Sequence, residues 1–310
     1  MSVLVVGSVA LDNIRTPFGE VKKALGGSCS YVSTAISYFS QPSIVGVVGK
    51  DFPGEHIEMF QSRGIDTTGL EVDQSGETFQ WTGYYEYDMN QAHTVDTALN
   101  VFASFKPQVP EALRQSKYVL LGNIDPELQL DVLNQIEKPE IVMADTMNFW
   151  IESKRDALIE VLKRCTIIVM NDAEARQLCN TASLQKAAKE LLNLGAERVL
   201  IKKGEHGCLM FSREDFFSAP AFPLEVVKDP TGAGDTFAGG FMGYLSGTTD
   251  RSEDVYRQAV IMGTTMASFT VEEFSLERLA GLKPTEITNR CALLRRQTEF
   301  PQIDLHLRTF

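Results

Sequence analysis

The residues best suited to chemistry lie in one stretch, Val226 to Met242, which reads VVKDPTGAGDTFAGGFM. Pro230 and Gly232 punctuate the chain after an apolar run read as a strand. From Asp235 to Leu245 the apolar residues Phe237, Phe241 and Leu245 then recur at helical spacing. A small-residue turn feeding a helix leaves backbone N–H groups unpaired, at the end where the helix dipole favours negative charge. Gly232, Ala233 and Gly234 therefore read as an anion hole with little side chain to keep a phosphate away. Asp235 heads the same helix, where it can take the proton of a hydroxyl that attacks phosphorus. The plain alternative is that Asp235 caps the helix. A dinucleotide fingerprint fails because Phe237 stands where its third glycine belongs. Gly49-Lys50-Asp51 lacks the other residues of a Walker loop.

The elements that must position these residues follow from the pattern of apolar runs. Val3–Val6, Ser43–Val48, Tyr118–Leu121, Ile141–Ala144, Ile167–Met170 and Val199–Ile201 read as strands buried on both faces. Amphipathic stretches such as Arg155–Lys163 and Leu184–Leu194 alternate with them. The expected fold is thus α/β: a three-layer αβα, doubly wound, mostly parallel sheet with ligands at the carboxyl ends of its strands. Two segments break the alternation, Asn13–Leu25 and roughly Glu71–Thr97, the second rich in β-formers and aromatics. They read as a small β-sheet standing off the core, serving either as a lid or as an edge sheet or dimerisation arm. No linker divides the chain, so residues 1–310 are expected to form one domain with that sheet inserted.

Composition narrows the partners. The 310 residues are 44% hydrophobic and 23% charged, as packed globular proteins are. A net charge of −12 repels nucleic acid and anionic membranes, so any bound phosphate must be met locally. No apolar run is long enough to span a bilayer, and the N-terminus lacks the basic region of a signal peptide. Five widely spaced cysteines, Cys29, Cys165, Cys179, Cys208 and Cys291, include no C-x-x-C pair and fit a reducing cytoplasm.

The stretch Asp229 to Phe241 resembles the C-terminal signature of the ribokinase-like (PfkB) carbohydrate and nucleoside kinases. Gly7 to Asp12 resembles that family's first strand, which ends in an aspartate that binds substrate hydroxyls. Gly26-Gly27 is similar to the opening of its N-terminal signature, Gly46 to Asp51 with Gly54 to the next strand and turn, and Asn171 to Glu174 to its N-x-x-E motif. The likeness runs from about residue 3 into the 270s. It implies ATP and Mg²⁺, with Glu174 serving the ion directly or through water. Asp12, Gly26, Gly27 and Asn123 would hold a sugar or nucleoside, and the two inserted segments would close over it as a lid. Asn171, Glu174, Gly204 and Gly207 would lie on the nucleotide side, with Gly263–Ser275 flanking the adenine. Asp229 and Thr231 match positions that bind a monovalent cation such as K⁺. A homodimer through the lid and a monomer are both consistent.

Two departures bear on substrate and cation. The signature's usual asparagine, four residues after the second glycine, is Tyr31 here, and Glu272-Glu273-Phe274 stands where small or basic residues are common. Trp81, Tyr84 and Tyr85 fit either stacking on a substrate ring or packing within the lid. Lys202 and Lys203 at a strand end read chiefly as exposed, His206 as a solvated loop residue, and Asp145 and Asn148 as neighbours of the nucleotide. A non-catalytic nucleotide- or sugar-binding protein and a nicotinamide-dependent oxidoreductase are the competing classes. The intact Asp235 weighs against the first and the missing fingerprint against the second.

Overall fold

The computed structural model describes residues 2–299 and 301. Among them are thirteen strands: β1 Ser2–Val6, β2 Ala10–Thr16, β3 Gly19–Gly26, β4 Gln41–Gly49, β5 Asp66–Asp73, β6 Gln80–Tyr84, β7 His93–Ala98, β8 Tyr118–Leu121, β9 Ile141–Ala144, β10 Ile167–Asn171, β11 Arg198–Lys202, β12 Cys208–Phe211 and β13 Phe216–Ala219. Nine of them form one sheet in the order β13-β12-β11-β10-β9-β8-β1-β4-β5. From β5 through β11 neighbours run parallel, and the β12 and β13 hairpin adds an antiparallel edge.

Alternation along these strands sorts side chains between two apolar layers, because successive residues point to opposite faces. Val3, Val5, Leu120, Met143, Val169 and Leu200 pack on one face with the helices Ser28–Ile36, Ala233–Ser246 and Glu253–Thr270. Leu4, Val6, Leu121, Val142, Ile168 and Ile201 pack on the other with Arg155–Leu162 and Leu184–Asn193. The result is the expected three-layer sandwich. The strand order turns back at β1, which lies between β4 and β8, and such a switch point opens a crevice at the carboxyl ends.

A second sheet of four strands, β3-β2-β6-β7, stands apart from the first. It is mixed: β2 pairs antiparallel with β3 and parallel with β6, and β6 antiparallel with β7. Its boundaries differ from those read in the sequence. Glu71 to Asp73 belong to β5, the edge of the large sheet, so the second segment contributes only from Gln80 onward. The first strand ends at Val6, and Asp12 lies on β2 of the small sheet rather than at the end of β1. The apolar run before Pro230 is no strand either; the Lys228 and Asp229 N–H groups instead donate to the Val271 carbonyl. Among the described residues no helix is long and apolar enough to cross a membrane.

Candidate active site

The Ala233–Ser246 helix carries the longest motif into the crevice. Gly232 precedes it with φ +74°, a left-handed conformation that glycine adopts without strain. Its glycines also allow close packing: a methyl on Gly239 would sit 2.5 Å from the Val32 carbonyl oxygen, and one on Gly243 2.8 Å from the Phe39 ring. This helix can therefore lie tightly against Ser28–Ile36, whose own N-terminus opens at Gly27. Asp235 occupies the third helical position, half-buried, and among the described residues no hydrogen bond reaches its carboxylate. It is not spent on capping. Burial pushes its pKa up to about 7, the Asp145 carboxylate adds to that rise, and Lys202 opposes it.

Lys202 is the residue that sequence reasoning undervalued. Its Nζ donates to Asp145 Oδ2 at 2.6 Å, with both side chains largely buried. The same Nζ lies 3.0 Å from where a methyl on Gly234 would stand, which places a cation against the glycine cradle. Burial alone would lower the lysine pKa, yet Asp145 and Glu174 hold it above its ordinary value. The signal was available: Asp145 follows β9 and Lys202 ends β11, so both lie at carboxyl ends of parallel strands flanking β10.

Asn171 and Glu174 form a capping box at the start of the Asp172–Leu178 helix. The Glu174 N–H donates to Asn171 Oδ1 at 2.8 Å, and the Asn171 N–H to Glu174 Oε2 at 2.7 Å. Glu174 is only 8% exposed, and burial with the nearby Asp145 pushes its pKa up to about 7 against the pull of Lys202. Among the described residues no three of His, Cys, Asp and Glu gather as a metal cage. Mg²⁺ is commonly held by phosphate oxygens and water with one or two carboxylates. Glu174 and Asp145 are the acids that could face such an ion.

At the other end of the crevice, Asp12 is 4% exposed and its Oδ1 has no hydrogen-bond partner. Gly26 makes room for it, since a methyl there would sit 1.9 Å from Asp12 Oδ2. Gly27, with φ +89°, passes so close to the Ser8 carbonyl that a methyl would stand 2.4 Å away. Burial drives the Asp12 pKa up to about 7, and the Asp229 and Asp235 carboxylates push the same way against backbone N–H groups of Trp81 and Gly27. Asp229 is 1% exposed and accepts from the N–H groups of Thr231 at 2.9 Å and Ser275 at 3.3 Å. Burial raises its pKa too. Thr231 donates through Oγ1 to Tyr85 Oη at 3.2 Å, a contact between the small sheet's side of the crevice and the loop before the Ala233–Ser246 helix. Asp12, Asp229 and Asp235 thus form one electrostatic group, and Asp145, Glu174, Lys202 and Asp235 another.

The remaining expected residues are less central. Asn123 follows β8, and its Oδ1 accepts from Trp150 Nε1 at 3.0 Å, which fixes the amide and commits part of its bonding capacity within the protein. Gly204 and Gly207 both have positive φ and bound a short turn after β11. Asn90, from the loop between β6 and β7, reaches that turn and accepts from the Glu205 N–H at 3.2 Å. Tyr84 and Trp81 are engaged within the small sheet. Tyr84 stacks on His93 with ring centroids 4.9 Å apart, and Trp81 Nε1 donates to Thr94 Oγ1 at 3.1 Å. His206 is exposed, as expected of a loop residue.

A layered α/β sheet, a crevice at its strand ends and a small sheet beside that crevice define the fold class, and comparison with known proteins gives it a family. Residues 2–279 match the profile of the pfkB family carbohydrate kinases. The chain is 30% identical over 253 residues to the cytidine kinase of Thermococcus kodakarensis, covering 80% of this chain and 90% of that protein. The Burkholderia thailandensis nucleoside kinase in complex with inosine superposes with a TM-score of 0.76 at 18% identity, over 94% of this chain and 96% of the other. The aminoimidazole riboside kinase of Salmonella enterica, complexed with aminoimidazole riboside and an ATP analog, gives 0.72 at 20% identity, over 94% and 100%. This chain belongs to the pfkB family of carbohydrate kinases.

Proposed function

We propose that the protein transfers the γ-phosphoryl group of ATP to a hydroxyl of an uncharged nucleoside or sugar. The observation that carries this reading is the unengaged Asp235 carboxylate set directly after the Gly232 to Gly234 cradle. In phosphoryl transfer the protein mainly positions an in-line nucleophile and stabilises charge. Asp235 accepts the hydroxyl proton as the bond to phosphorus forms. The Ala233 N–H is already given to the Pro230 carbonyl at 3.2 Å. The backbone N–H groups of Gly232 and Gly234 and Lys202 Nζ therefore bind the developing negative charge, an arrangement in which one donor is typically worth about 3–4 kcal/mol. Glu174 and Asp145 would hold Mg²⁺, which when bound with the nucleotide would supply positive charge against the phosphate oxygens. Asp12, with Gly26 and Gly27 leaving it space, accepts from the substrate's other hydroxyls. The small sheet acts as a lid that keeps water out, since water would otherwise be the acceptor. If K⁺ binds, buried Asp229 is the charge it would neutralise.

Charge supports an uncharged acceptor. The charged groups acting most strongly on Asp12 and Tyr31 are all carboxylates, so a phosphorylated sugar would meet repulsion there. Relatives named for cytidine, nucleosides and aminoimidazole riboside favour a nucleoside over a free sugar. The free edges β3 and β7 of the small sheet are where two copies could pair.

The test is ADP release from ATP and Mg²⁺, with and without K⁺, over neutral nucleosides, neutral sugars and phosphorylated sugars. Turnover with a neutral acceptor and none with phosphorylated sugars is the expected result. Turnover confined to phosphorylated sugars would refute the reading of the acceptor. Binding without turnover would favour a non-catalytic protein.

A further inference from the structure

We propose that Tyr31 sets acceptor specificity, its phenol Oη–H bonding an oxygen of the neutral acceptor while Asp12 Oδ1 accepts from a neighbouring hydroxyl of the same molecule. The inference rests on the phosphotransferase reading above and deepens it.

Tyr31 lies in the first turn of the Ser28–Ile36 helix, just after Gly26 and Gly27. It is 1% exposed, and its Oη has no hydrogen-bond partner. A buried hydroxyl left unpaired is destabilising, and native structures rarely keep one without reason. Asp12 Oδ1 is orphaned in the same way, and its carboxylate is close enough to raise the pKa of the Tyr31 phenol. One unpaired donor and one unpaired acceptor are the two halves needed to bind a polyhydroxy compound.

The ring of Tyr31 is held in place. A methyl on Gly232 would lie 2.4 Å from its Cδ2, Cε2 and Cζ atoms, so the turn that opens the anion cradle rests on the phenol. Specificity groups work when their neighbours fix them, and this one is fixed by the loop that would also hold the phosphate. Burial and the carboxylates of Asp229, Asp12 and Asp235 keep the phenol protonated. It therefore offers a donor without adding charge. Tyr85, whose hydroxyl meets Thr231, is a second phenol near by. An acceptor bonded by Tyr31 would lie between the cradle and the small sheet, with a hydroxyl directed toward Asp235.

Tyr31→Phe is the test, because it removes the orphaned oxygen and keeps the ring that supports Gly232. On the best acceptor, kcat/KM should fall about tenfold, the size expected of one neutral hydrogen bond, with the ATP KM unchanged. The ligand-free variant should melt at or above the wild-type temperature. Deoxy versions of that acceptor then locate the contact: for one of them wild type should lose the same factor and Tyr31→Phe should lose no more. A variant with wild-type kinetics would show that Tyr31 is only a platform and overturn the proposal, leaving the phosphotransferase reading intact. A variant that loses the same further factor on every deoxy acceptor would also overturn it. If wild type phosphorylates no neutral acceptor, the phosphotransferase reading fails and this proposal with it.

Discussion

At one end of the crevice Lys202 is paired with Asp145 and Glu174 is locked with Asn171 in a capping box, whereas at the other Asp12 Oδ1 and Tyr31 Oη have no hydrogen-bond partner among the described residues. The difference is one of timing. On the function proposed above, the Lys202 end meets the phosphates and is ready before the nucleotide arrives, because preorganised dipoles stabilise a transition state without reorganising. On the same proposal the Asp12 and Tyr31 end can leave its polar atoms unpaired, because a chosen substrate completes them and a wrong one does not. Preorganisation uses groups paired within the protein. Specificity uses groups held open.

The largest break in this comparison should come from Lys202→Met. It removes the cation paired with Asp145, whose side chain is 5% exposed, and leaves that charge buried with, among the described residues, only the Thr146 N–H donating to it. Losing one partner of a buried pair typically costs about 3–5 kcal/mol, and urea unfolding should show a loss of that order. Stability unchanged to within 1 kcal/mol would mean that the pair is not the prebuilt element described here.

Gly232→Ala should come next. The left-handed φ and the contact with the Tyr31 ring both oppose a side chain, for a cost of about 2 kcal/mol or more. Phosphoryl transfer should fall together with stability, since the cradle itself is displaced. An alanine variant with full activity would show that the turn does not need its conformation.

Asp12→Asn should act in the opposite direction on stability. The carboxyl pKa rises from an ordinary value near 4 in the unfolded chain to about 7 in the fold. The folded state therefore holds a proton that the unfolded state has lost between those values, so the contribution of Asp12 to stability is fully present below about 4 and is lost as pH rises through 7. The variant should accordingly melt above wild type at pH 8, with the gap closing as pH falls toward 4. A gap independent of pH would contradict the assignment of a raised pKa. If Asp235 takes the proton as proposed, it needs its carboxylate ionised, and wild-type kcat/KM for the acceptor should also fall as pH drops through about 7.

The smallest effect belongs to Tyr85→Phe, which removes the single 3.2 Å contact from Thr231 Oγ1. About 1 kcal/mol of stability is expected from one neutral hydrogen bond, together with a modest rise in acceptor KM. A loss as large as that of Lys202→Met would place the closing contact among the prebuilt elements and blur the distinction between the two ends.

Much of this arrangement is legible in the sequence because it is local. The buried strands announce themselves as short apolar runs, and the Gly232 to Asp235 turn carries both its cradle and its carboxylate within four residues. Asn171 and Glu174 are three apart and form a capping box wherever a helix starts there. What escaped the reading depends on register between distant segments. Lys202 and Asp145 are 57 residues apart and meet only because β9, β10 and β11 align their carboxyl ends. Lys203, next along the chain, fits the same strand-end pattern, so pattern alone could not choose between them. Asp12 read as the end of the first strand because the apolar run Val3 to Leu11 hides the break at Gly7 to Val9, where the chain leaves one sheet for the other. Tyr31 registered only as a missing amide, since nothing in its spacing tells that Gly232 comes to rest on its ring.

Single-turnover transfer from ATP to a neutral acceptor, with wild type and Asp235→Asn both saturated in the two substrates, tests the central claim most directly. The claim predicts a drop in the transfer rate of about 10²–10⁴, with ATP and acceptor affinities little changed. Equal rates in the two proteins would show that Asp235 does not take the proton, and the division of the crevice proposed here would have to be abandoned.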